Sequence, residues 1–304
     1  MMTDPTPQAP RGTMRFDEPM ARHTSWRAGG AAERFYQPAD RDDLARYLAG
    51  LPADEPLLFV GLGSNLLVRD GGLSGTVIGL SGCLAGLEFL GDGRVRAEAG
   101  VACPKLARTT AKASLAGLEF LCGIPGTVGG ALAMNAGALG SETWEFVECV
   151  ETLDRRGRVQ VRKPEDYGIA YRHVAGPADE WFVAATFRLG AGETEASLEK
   201  IRANLARRAA TQPTQLPNAG SVFRNPPGEY AARLIEACGL KGHCVGGACV
   251  SDKHANFIIN TGTATAGDIE ALIEKVAATV QQEHGIDLVR EVRIVGEPGG
   301  RHGH

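Results

Sequence analysis

The sequence predicts a two-domain α+β protein, and three observations support this prediction. The 304 residues are enough for two hydrophobic cores. The first half of the chain alternates short apolar runs with glycine-rich loops, a pattern typical of strands joined by tight turns. From about residue 193 onward, apolar residues recur at helical spacing. We therefore expect a lead-in over residues 1–26, a first domain over residues 27–192, and a smaller α/β domain over residues 193–304.

Each element follows from a local pattern. Short apolar or alternating runs predict strands at residues 57–60, 76–80, 94–98, 146–153, 159–162 and 181–189. Pro104 suits the first position of a helix and predicts one that extends to about residue 114. Helical spacing predicts three further helices at residues 194–210, 230–238 and 265–284, the last two followed by glycine. Alternation of apolar and charged residues predicts a final strand at residues 288–295.

The composition argues against several classes of function. The net charge is −4 and no long basic run is present, so we expect no nucleic-acid partner. No apolar stretch reaches the ~18 residues that a membrane span needs, so we expect no membrane partner. Residues 1–12 lack the apolar core of a signal peptide and are interpreted as a disordered lead-in.

The cysteine pattern indicates neither a metal site nor a disulfide framework. The seven cysteines form no C-x-x-C pair, and the spacing of Cys244 and Cys249 does not suit a zinc site. We therefore expect all seven to be reduced thiols of a cytoplasmic protein.

Two glycine-rich regions are the strongest signs of a ligand site. The segment Gly61-Leu62-Gly63-Ser64-Asn65 directly follows a predicted strand. Glycines allow backbone N–H groups to approach a phosphate, and the serine and asparagine add hydrogen-bond donors. The segment is not a dinucleotide-binding fingerprint, because position 66 is leucine and the third glycine is missing. A tight turn without a ligand would explain this segment equally well.

The second region is longer. It consists of Gly123, Ile124, Pro125, Gly126, Thr127, Val128, Gly129 and Gly130, followed by Asn135, Ala136 and Gly137. Ala131 and Leu132 stand where a Walker A loop requires lysine and then serine or threonine, which argues against a kinase or ATPase. So many residues with special backbone preferences favour a loop that packs against a flat or phosphorylated ligand. The alternative is an elaborate turn without a ligand.

Several polar side chains could carry chemistry. Tyr171-Arg172 precedes a Gly-Pro loop, although surface pairs of this type are common. Ser221 follows a glycine and precedes an Asn-Pro turn, so its hydroxyl is expected on a constrained turn, outside any G-x-S-x-G elbow. Glu291 lies in the predicted terminal strand, where an edge-strand carboxylate paired with Arg290 or Arg293 is the alternative interpretation. His254 lies in a polar cluster with no second ligand at metal spacing, so we predict no metal site.

Taken in order, these segments resemble one enzyme family. The order is Gly-x-Gly-Ser-Asn at 61–65, Ile-Pro-Gly-Thr-x-Gly-Gly at 124–130 with Asn-Ala-Gly at 135–137, Tyr-Arg at 171–172, Gly-Ser-x-Phe-x-Asn-Pro at 220–226, His-Ala-Asn at 254–256 and Glu-Val-Arg at 291–293. Each motif alone is weak, but together they resemble the UDP-N-acetylenolpyruvoylglucosamine reductases over residues 24–296. Residues 24–30 also resemble the opening flavin-contact segment of that family.

The resemblance implies a fold, a reaction and a set of ligands. The fold is a vanillyl-alcohol-oxidase (PCMH-type) FAD-binding domain over residues 27–192, followed by the smaller substrate-binding domain. The reaction is the reduction of UDP-N-acetylglucosamine enolpyruvate to UDP-N-acetylmuramate in cytoplasmic peptidoglycan precursor synthesis. Noncovalent FAD is the implied cofactor and NADPH the reducing substrate. A monomer is expected, without nucleic-acid, membrane or metal partners.

The resemblance also assigns residues by position. It implies FAD contacts from Arg27, Gly61, Gly63, Ser64, Asn65, Gly123, Ile124, Pro125, Gly126, Thr127, Gly129, Gly130, Asn135, Ala136 and Gly137. It implies substrate contacts from Tyr171, Asn225, His254 and Asn256. Arg172 corresponds to the active-site arginine, Ser221 to the proton donor and Glu291 to the active-site glutamate.

These three residue types suit the implied chemistry. Reduction of an enolpyruvyl group builds enolate-like charge on its carboxylate, and the planar guanidinium of Arg172 can stabilise that charge. Ser221 can then deliver a proton to the α-carbon. Glu291 is expected to orient Arg172 or the substrate carboxylate, or to polarise the Ser221 hydroxyl.

Two departures from the family pattern concern how substrate is held. Val174, preceded by His173, stands where the family often has serine. The chain also lacks the long tyrosine-bearing insertion that one branch carries after Tyr-Arg, so it resembles the shorter branch.

Two alternative functions fit part of the pattern. Another FAD oxidoreductase of the same fold, such as an aldonolactone oxidase, would share the glycine-rich regions but not Ser221 and Glu291. A nucleotide-binding protein without catalysis would leave Arg172, Ser221 and Glu291 unexplained.

Overall fold

The protein is an α+β fold, given by a computed structural model that describes residues 9–299. Its α-helices are α1 (Arg41–Ala49), α2 (Cys103–Lys112), α3 (Val128–Met134), α4 (Thr194–Thr211), α5 (Ala231–Ala237) and α6 (Ala266–His284). Its strands are β1 (Thr13–Pro19), β2 (Ala31–Gln37), β3 (Leu57–Val60), β4 (Leu66–Val68), β5 (Leu73–Gly79), β6 (Leu87–Gly91), β7 (Arg94–Glu98), β8 (Leu115–Ala116), β9 (Gly137–Ala138), β10 (Ser141–Glu142), β11 (Val147–Asp154), β12 (Val159–Arg162), β13 (Gly168–Ala170), β14 (His173–Ala175), β15 (Glu180–Arg188), β16 (Gly190–Ala191), β17 (Cys244–Val245), β18 (Ala248–Val250), β19 (Ile258–Asn260) and β20 (Arg293–Val295).

The strands form several sheets. The largest has five strands in the order β12-β11-β15-β7-β6, paired antiparallel throughout. A second has the order β1-β2-β5-β3, in which β3 and β5 run parallel. The strands β17, β18 and β19 form an antiparallel sheet, and β20 pairs in parallel with β4.

The chain divides into two compact units, each discontinuous in sequence. The first contains the described residues up to Arg15, together with Phe35–Gly61 and Thr76–Thr194. The second contains Phe16–Arg34, Leu62–Gly75 and the described residues from Glu195 onward. Within the described residues, no helix is long and apolar enough to cross a membrane.

This division differs from the continuous ranges predicted from the sequence. Segments from the N-terminal half fold with the C-terminal half in the second unit, where the buried Trp26 donates its indole N–H to the carbonyl of Ile258 at 2.8 Å. The lead-in predicted over residues 1–26 is corrected as well, because β1 is a strand and Trp26 is fully buried. The disordered part of that lead-in falls largely on residues 1–8, which lie outside the described residues.

The core of the second unit is arranged along α6. Ile269, Leu272, Val276 and Val280 of this helix are all at most 1% exposed and share one face, as their spacing predicts. The helix begins where the Thr265 side chain accepts a hydrogen bond from the Asp268 N–H, and it ends at Gly285 in the left-handed conformation.

The core of the first unit contains apolar residues from α1, from β5 and from the largest sheet. It includes Leu44 and Leu48 of the helix, Ile78 of β5, and Leu153 and Val183 of neighbouring strands. The strands predicted at residues 57–60, 94–98 and 159–162 are confirmed in full, because each is a short local apolar or alternating pattern.

Cys244 and Cys249 form a disulfide, so the prediction of seven reduced thiols is wrong for this pair. The two residues lie opposite each other on β17 and β18, with Cα atoms 4.1 Å apart. The turn between these strands is Gly246-Gly247, a pair that favours a two-residue hairpin. Their spacing excludes a zinc site but suits cross-strand pairing, and the hairpin itself was not predicted.

Candidate active site

The two predicted FAD regions of the first unit lie against each other. Gly61 follows β3, and a Cβ atom at this position would lie 2.4 Å from the Thr127 hydroxyl oxygen. Thr127 in turn caps α3, where its hydroxyl accepts a hydrogen bond from the Gly130 N–H. Glycine at position 61 is therefore required by close packing between two loops, in addition to any ligand.

The loop before α3 is tied to the neighbouring backbone. The Val128 N–H donates to the carbonyl of Val101 at 2.8 Å, and the Gly129 N–H donates to the carbonyl of Ala99 at 2.9 Å. Gly130 is exposed, and a Cβ atom there would have only the Thr127 hydroxyl within 4 Å. A rigid loop with open backbone at Gly130 fits a flat or phosphorylated ligand such as FAD.

The rest of the first glycine-rich segment belongs to the second unit and packs on residues 23–27. Gly63 has φ +59°, and a Cβ atom there would lie 2.0 Å from the carbonyl oxygen of His23. The carbonyl of Gly63 accepts a hydrogen bond from the Ser25 N–H at 3.1 Å. Arg27 is exposed and also has a positive φ of 55°. The two segments predicted separately as FAD contacts are thus neighbours here.

The predicted FAD residues differ in exposure. The buried ones are Gly63, Gly126, Thr127 and Asn135; the half-buried ones are Gly61, Ser64, Asn65, Gly123, Ile124, Gly129, Ala136 and Gly137; the exposed ones are Arg27, Pro125 and Gly130. The Asn65 side chain donates to the carbonyl of Glu291 at 3.1 Å, a structural contact that the sequence did not indicate.

Arg172 occupies the turn of the hairpin formed by β13 and β14. Tyr171 and Arg172 are the two turn residues, since Ala170 pairs with His173. Arg172 has φ 53°, at a turn position that glycine usually takes, and this conformation costs a non-glycine residue about 1–2 kcal/mol. Tyr171 is 46% exposed, and the guanidinium of Arg172 lies 4.8 Å from its ring centroid.

The guanidinium of Arg172 is held by backbone carbonyls at the end of α3. Nη2 donates to the carbonyl of Gly137 at 2.7 Å, and Nη1 donates to the carbonyl of Asn135 at 3.3 Å. Asn135 ends α3 in the left-handed conformation and is 1% exposed. The structure therefore brings Arg172 together with the predicted FAD residues at 135–137.

Ser221 and Glu291 lie on neighbouring segments of the second unit. The Glu291 N–H donates to the carbonyl of Val222 at 2.8 Å, and the Arg224 N–H donates to the carbonyl of Val289 at 2.9 Å. The terminal strand predicted over 288–295 is thus corrected to β20 alone, with Glu291 in the antiparallel segment before it. This segment pairs with residues 222–224, which lie far away in sequence.

Ser221 has the constrained position expected from its sequence. The preceding Gly220 has φ +77°, and its N–H donates to the Asn218 side chain at 3.0 Å. The hydroxyl of Ser221 is partly exposed and has no hydrogen-bond partner among residues 9–299. A hydroxyl in this state is available to a ligand.

The predicted substrate residue Asn256 has a structural contact instead of an open side chain. It is 4% exposed, accepts a hydrogen bond from the Phe223 N–H at 3.0 Å and donates to the Phe223 carbonyl at 2.8 Å. This amide thereby fixes the segment that follows Ser221. Asn225, also predicted to contact substrate, is exposed and accepts a hydrogen bond from the Ala231 N–H at the start of α5.

His254 lies beside Asn256 and is half-buried, which favours a neutral ring. Burial lowers the pKa of His254 below its usual value, and its Nδ1 accepts a hydrogen bond from the Asn256 N–H at 3.3 Å. A neutral ring suits hydrogen bonding and does not act as a cation for a phosphate. Within residues 9–299, no group of three or more histidine, cysteine, aspartate or glutamate side chains could hold a metal ion.

We expect Asn256→Ala to lower the free energy of unfolding by about 2–4 kcal/mol, because it leaves two buried backbone groups of Phe223 without partners. Urea denaturation followed by circular dichroism measures this loss. The control Asn225→Ala removes only one hydrogen bond, from the Ala231 N–H at the start of α5, and should cost about 1 kcal/mol. An Asn256→Ala protein of normal stability with a raised KM for the UDP-sugar would instead assign Asn256 to substrate binding.

Two family models match the chain. A model of an FAD binding domain matches residues 32–162, and a model of the UDP-N-acetylenolpyruvoylglucosamine reductase C-terminal domain matches residues 212–295. The predicted fold class, α+β with a PCMH-type FAD-binding domain followed by a smaller domain, is confirmed by these matches and by the solved structure described next.

Three similar proteins that match over nearly the whole chain are reductases of one kind. UDP-N-acetylenolpyruvoylglucosamine reductase from Legionella pneumophila (strain Lens) is 58% identical, with 94% of each chain covered. The protein of that name from Alkalilimnicola ehrlichii is 60% identical over 94% of this chain and 96% of its own. The crystal structure of UDP-N-acetylenolpyruvylglucosamine reductase from Thermus caldophilus matches with a TM-score of 0.80 and 33% identity, over 93% of this chain and 98% of that one. This chain belongs to the UDP-N-acetylenolpyruvoylglucosamine reductase family.

Proposed function

We propose that this chain catalyses the NADPH-dependent reduction of UDP-N-acetylglucosamine enolpyruvate to UDP-N-acetylmuramate, with FAD as cofactor, in peptidoglycan precursor synthesis. The observation that carries this proposal is the match to enzymes of that name at 58–60% identity over 94% of the chain. The same proposal places the reaction in the cytoplasm, with a single chain as the active unit.

The residues of the first unit fit FAD. The packing of Gly61 on Thr127 and the open backbone at Gly130 would hold its phosphates beside the start of α3. When bound, FAD supplies hydride chemistry, which no protein side chain provides. The chain itself contributes binding, orientation and charge.

Arg172 is the residue that we assign to the substrate carboxylate. Its guanidinium is fixed in advance by the carbonyls of Asn135 and Gly137, so little reorganisation is needed when negative charge grows on the substrate. A planar, permanently charged group suits a carboxylate that becomes enolate-like.

Ser221 is the residue that we assign to protonation of the α-carbon. Its hydroxyl has no partner within the described residues, and its backbone is fixed by Gly220 on one side and by the Asn256 bridge to Phe223 on the other. A serine is a weak acid, so its competence comes from placement and from the basicity of the enolate. Glu291 lies on the segment beside Ser221, because its backbone N–H bonds to the carbonyl of Val222. We assign its carboxylate to orient the substrate carboxylate or to polarise the Ser221 hydroxyl.

The purified protein is expected to be yellow and to release FAD on denaturation. Under anaerobic conditions, NADPH should bleach the flavin and the UDP-sugar should restore its colour, both measured by visible absorbance. A colourless protein that cannot be reconstituted with FAD would refute the proposal. Reoxidation by oxygen with none by the UDP-sugar would support an oxidase of the same fold.

A further inference from the structure

Glu142 contacts both Arg172 and a residue that supports Arg172. One carboxylate oxygen of Glu142 lies 3.9 Å from Nη1 of Arg172. The other accepts a hydrogen bond from the Asn135 side-chain amide at 2.6 Å. Glu142 also stands opposite Gly137 across the β9–β10 pair, and the carbonyl of Gly137 accepts a hydrogen bond from Nη2 of Arg172 at 2.7 Å. A single carboxylate is thus linked to Arg172 and to both residues whose carbonyls accept its hydrogen bonds described above.

The backbone around Glu142 is built to keep that carboxylate in place. Strands β9 and β10 are joined by Leu139 and Gly140, which have φ 58° and 86°, as in a tight two-residue hairpin turn. Leucine is unfavourable in such a turn, and Asn135 and Arg172 also have left-handed backbones. Arg172 and Asn135, whose side chains contact the Glu142 carboxylate, and Leu139 in the turn that precedes Glu142 thus all have left-handed backbones, a feature that clusters at functional sites.

Glu142 places a negative charge beside the guanidinium of Arg172. The carbonyls of Gly137 and Asn135 fix two nitrogens of the guanidinium, and the Glu142 carboxylate lies 3.9 Å from Nη1. The side chains of Arg172 and Glu142 are 16% and 32% exposed, so their attraction is only partly screened by solvent. Glu142 can orient the guanidinium electrostatically without taking up one of its N–H donors, because 3.9 Å is longer than a normal hydrogen bond.

We propose that Glu142 is a positioning residue for Arg172 and sets the orientation in which the guanidinium receives the substrate carboxylate. This inference rests on the proposed function of Arg172. An arginine that stabilises developing charge is effective only when its orientation exists before the reaction. Glu142 affects the reaction only through the orientation of Arg172 and does not need to contact the substrate.

Glu142→Gln tests this role, because glutamine can still accept the hydrogen bond from Asn135 but has no charge for Arg172. We expect NADPH to reduce the flavin at a near-normal rate, while reoxidation by the UDP-sugar slows about 10-fold, as when a partner that orients a ligating side chain is lost. Glu145→Gln, the same change at an exposed neighbour, should leave both rates unchanged. Equal slowing of both half-reactions with reduced FAD content would overturn the proposal in favour of a purely structural role.

A double mutant shows whether Glu142 acts through Arg172. Adding Glu142→Gln to Arg172→Lys should slow reoxidation by less than twofold, because the orientation of the guanidinium no longer matters. A further 10-fold loss in the double mutant would show an independent role and would refute the proposal.

A spectroscopic measurement separates this inference from the proposed function. In ¹H–¹⁵N spectra of the FAD-loaded protein, the Arg172 side-chain signal, assigned by its absence in Arg172→Lys, should shift or broaden in Glu142→Gln and not in Glu145→Gln. An unchanged signal would refute positioning by Glu142. A changed signal in a protein whose flavin is not reoxidised by the UDP-sugar would keep the positioning of Arg172 and refute the reaction.

Discussion

Arg172→Lys will lower turnover with the UDP-sugar by about 100-fold or more, the scale seen when one charge-stabilising donor is lost. Lysine keeps the positive charge but has one nitrogen in place of a planar fork. Two separate nitrogens of Arg172 bond to the carbonyls of Gly137 and Asn135, and a single ammonium cannot reproduce both contacts while facing a carboxylate. The expected loss is in turnover, with the protein still folded and still binding FAD.

The measurement is steady-state turnover together with anaerobic stopped-flow absorbance of each half-reaction. Flavin reduction by NADPH should stay near normal, since the carboxylate of the UDP-sugar takes no part in it. Arg156→Lys, a change at an exposed arginine of the same unit, should leave turnover and the rates of both half-reactions unchanged. Near-normal turnover of Arg172→Lys would mean that Arg172 serves the hairpin turn alone.

Local patterns of sequence were sufficient for much of the fold. The strands at residues 57–60, 94–98 and 159–162 match the structure because each is a self-contained apolar or alternating run. Helix α6 was predicted within one residue, since its stripe, its threonine cap and its final glycine all lie within the helix or beside it. Order and spacing of motifs also identified Arg172 and Ser221 as candidate site residues.

Contacts between distant residues were not predictable in this way. The side chain of Asn65 bonds to the carbonyl of Glu291, 226 positions away, and the amide of Asn256 bonds to Phe223, 33 positions away. In each pair, the sequence around one residue contains no pattern that indicates its distant partner. For the same reason, the predicted terminal strand was too long, because residues 289–291 pair with residues 222–224.

Backbone strain could not be predicted from the sequence either. The Tyr171-Arg172 pair was recognised as a motif, but the left-handed φ of Arg172 depends on its place in the β13–β14 turn. Glu142 was not predicted, because it lies five residues beyond the Asn135-Ala136-Gly137 motif and belongs to no glycine-rich pattern. A useful signal was present in Leu139-Gly140, a glycine-containing pair between two short segments.

Ser221→Ala will separate the two halves of the reaction. Flavin reduction by NADPH needs no proton on a substrate carbon, so it should proceed at a near-normal rate. Reoxidation by the UDP-sugar should slow by about 100- to 10,000-fold, the range for loss of a general acid. The hydroxyl of Ser221 has no partner within residues 9–299, so its removal breaks no described hydrogen bond and stability should change little.

Stopped-flow absorbance of the flavin, with urea denaturation of the same samples, distinguishes this role from a structural one. If Ser221 only supported its turn, the variant would lose about 1 kcal/mol of stability with both half-reactions nearly intact. Equal slowing of both half-reactions would mean that Ser221 shapes the FAD site and is not the proton donor. Ser74→Ala, a change at an exposed serine of the same unit, should leave both rates and the unfolding midpoint unchanged. We would therefore assign proton donation to Ser221 only if Ser221→Ala slows reoxidation by the UDP-sugar while stability and the rate of flavin reduction stay normal.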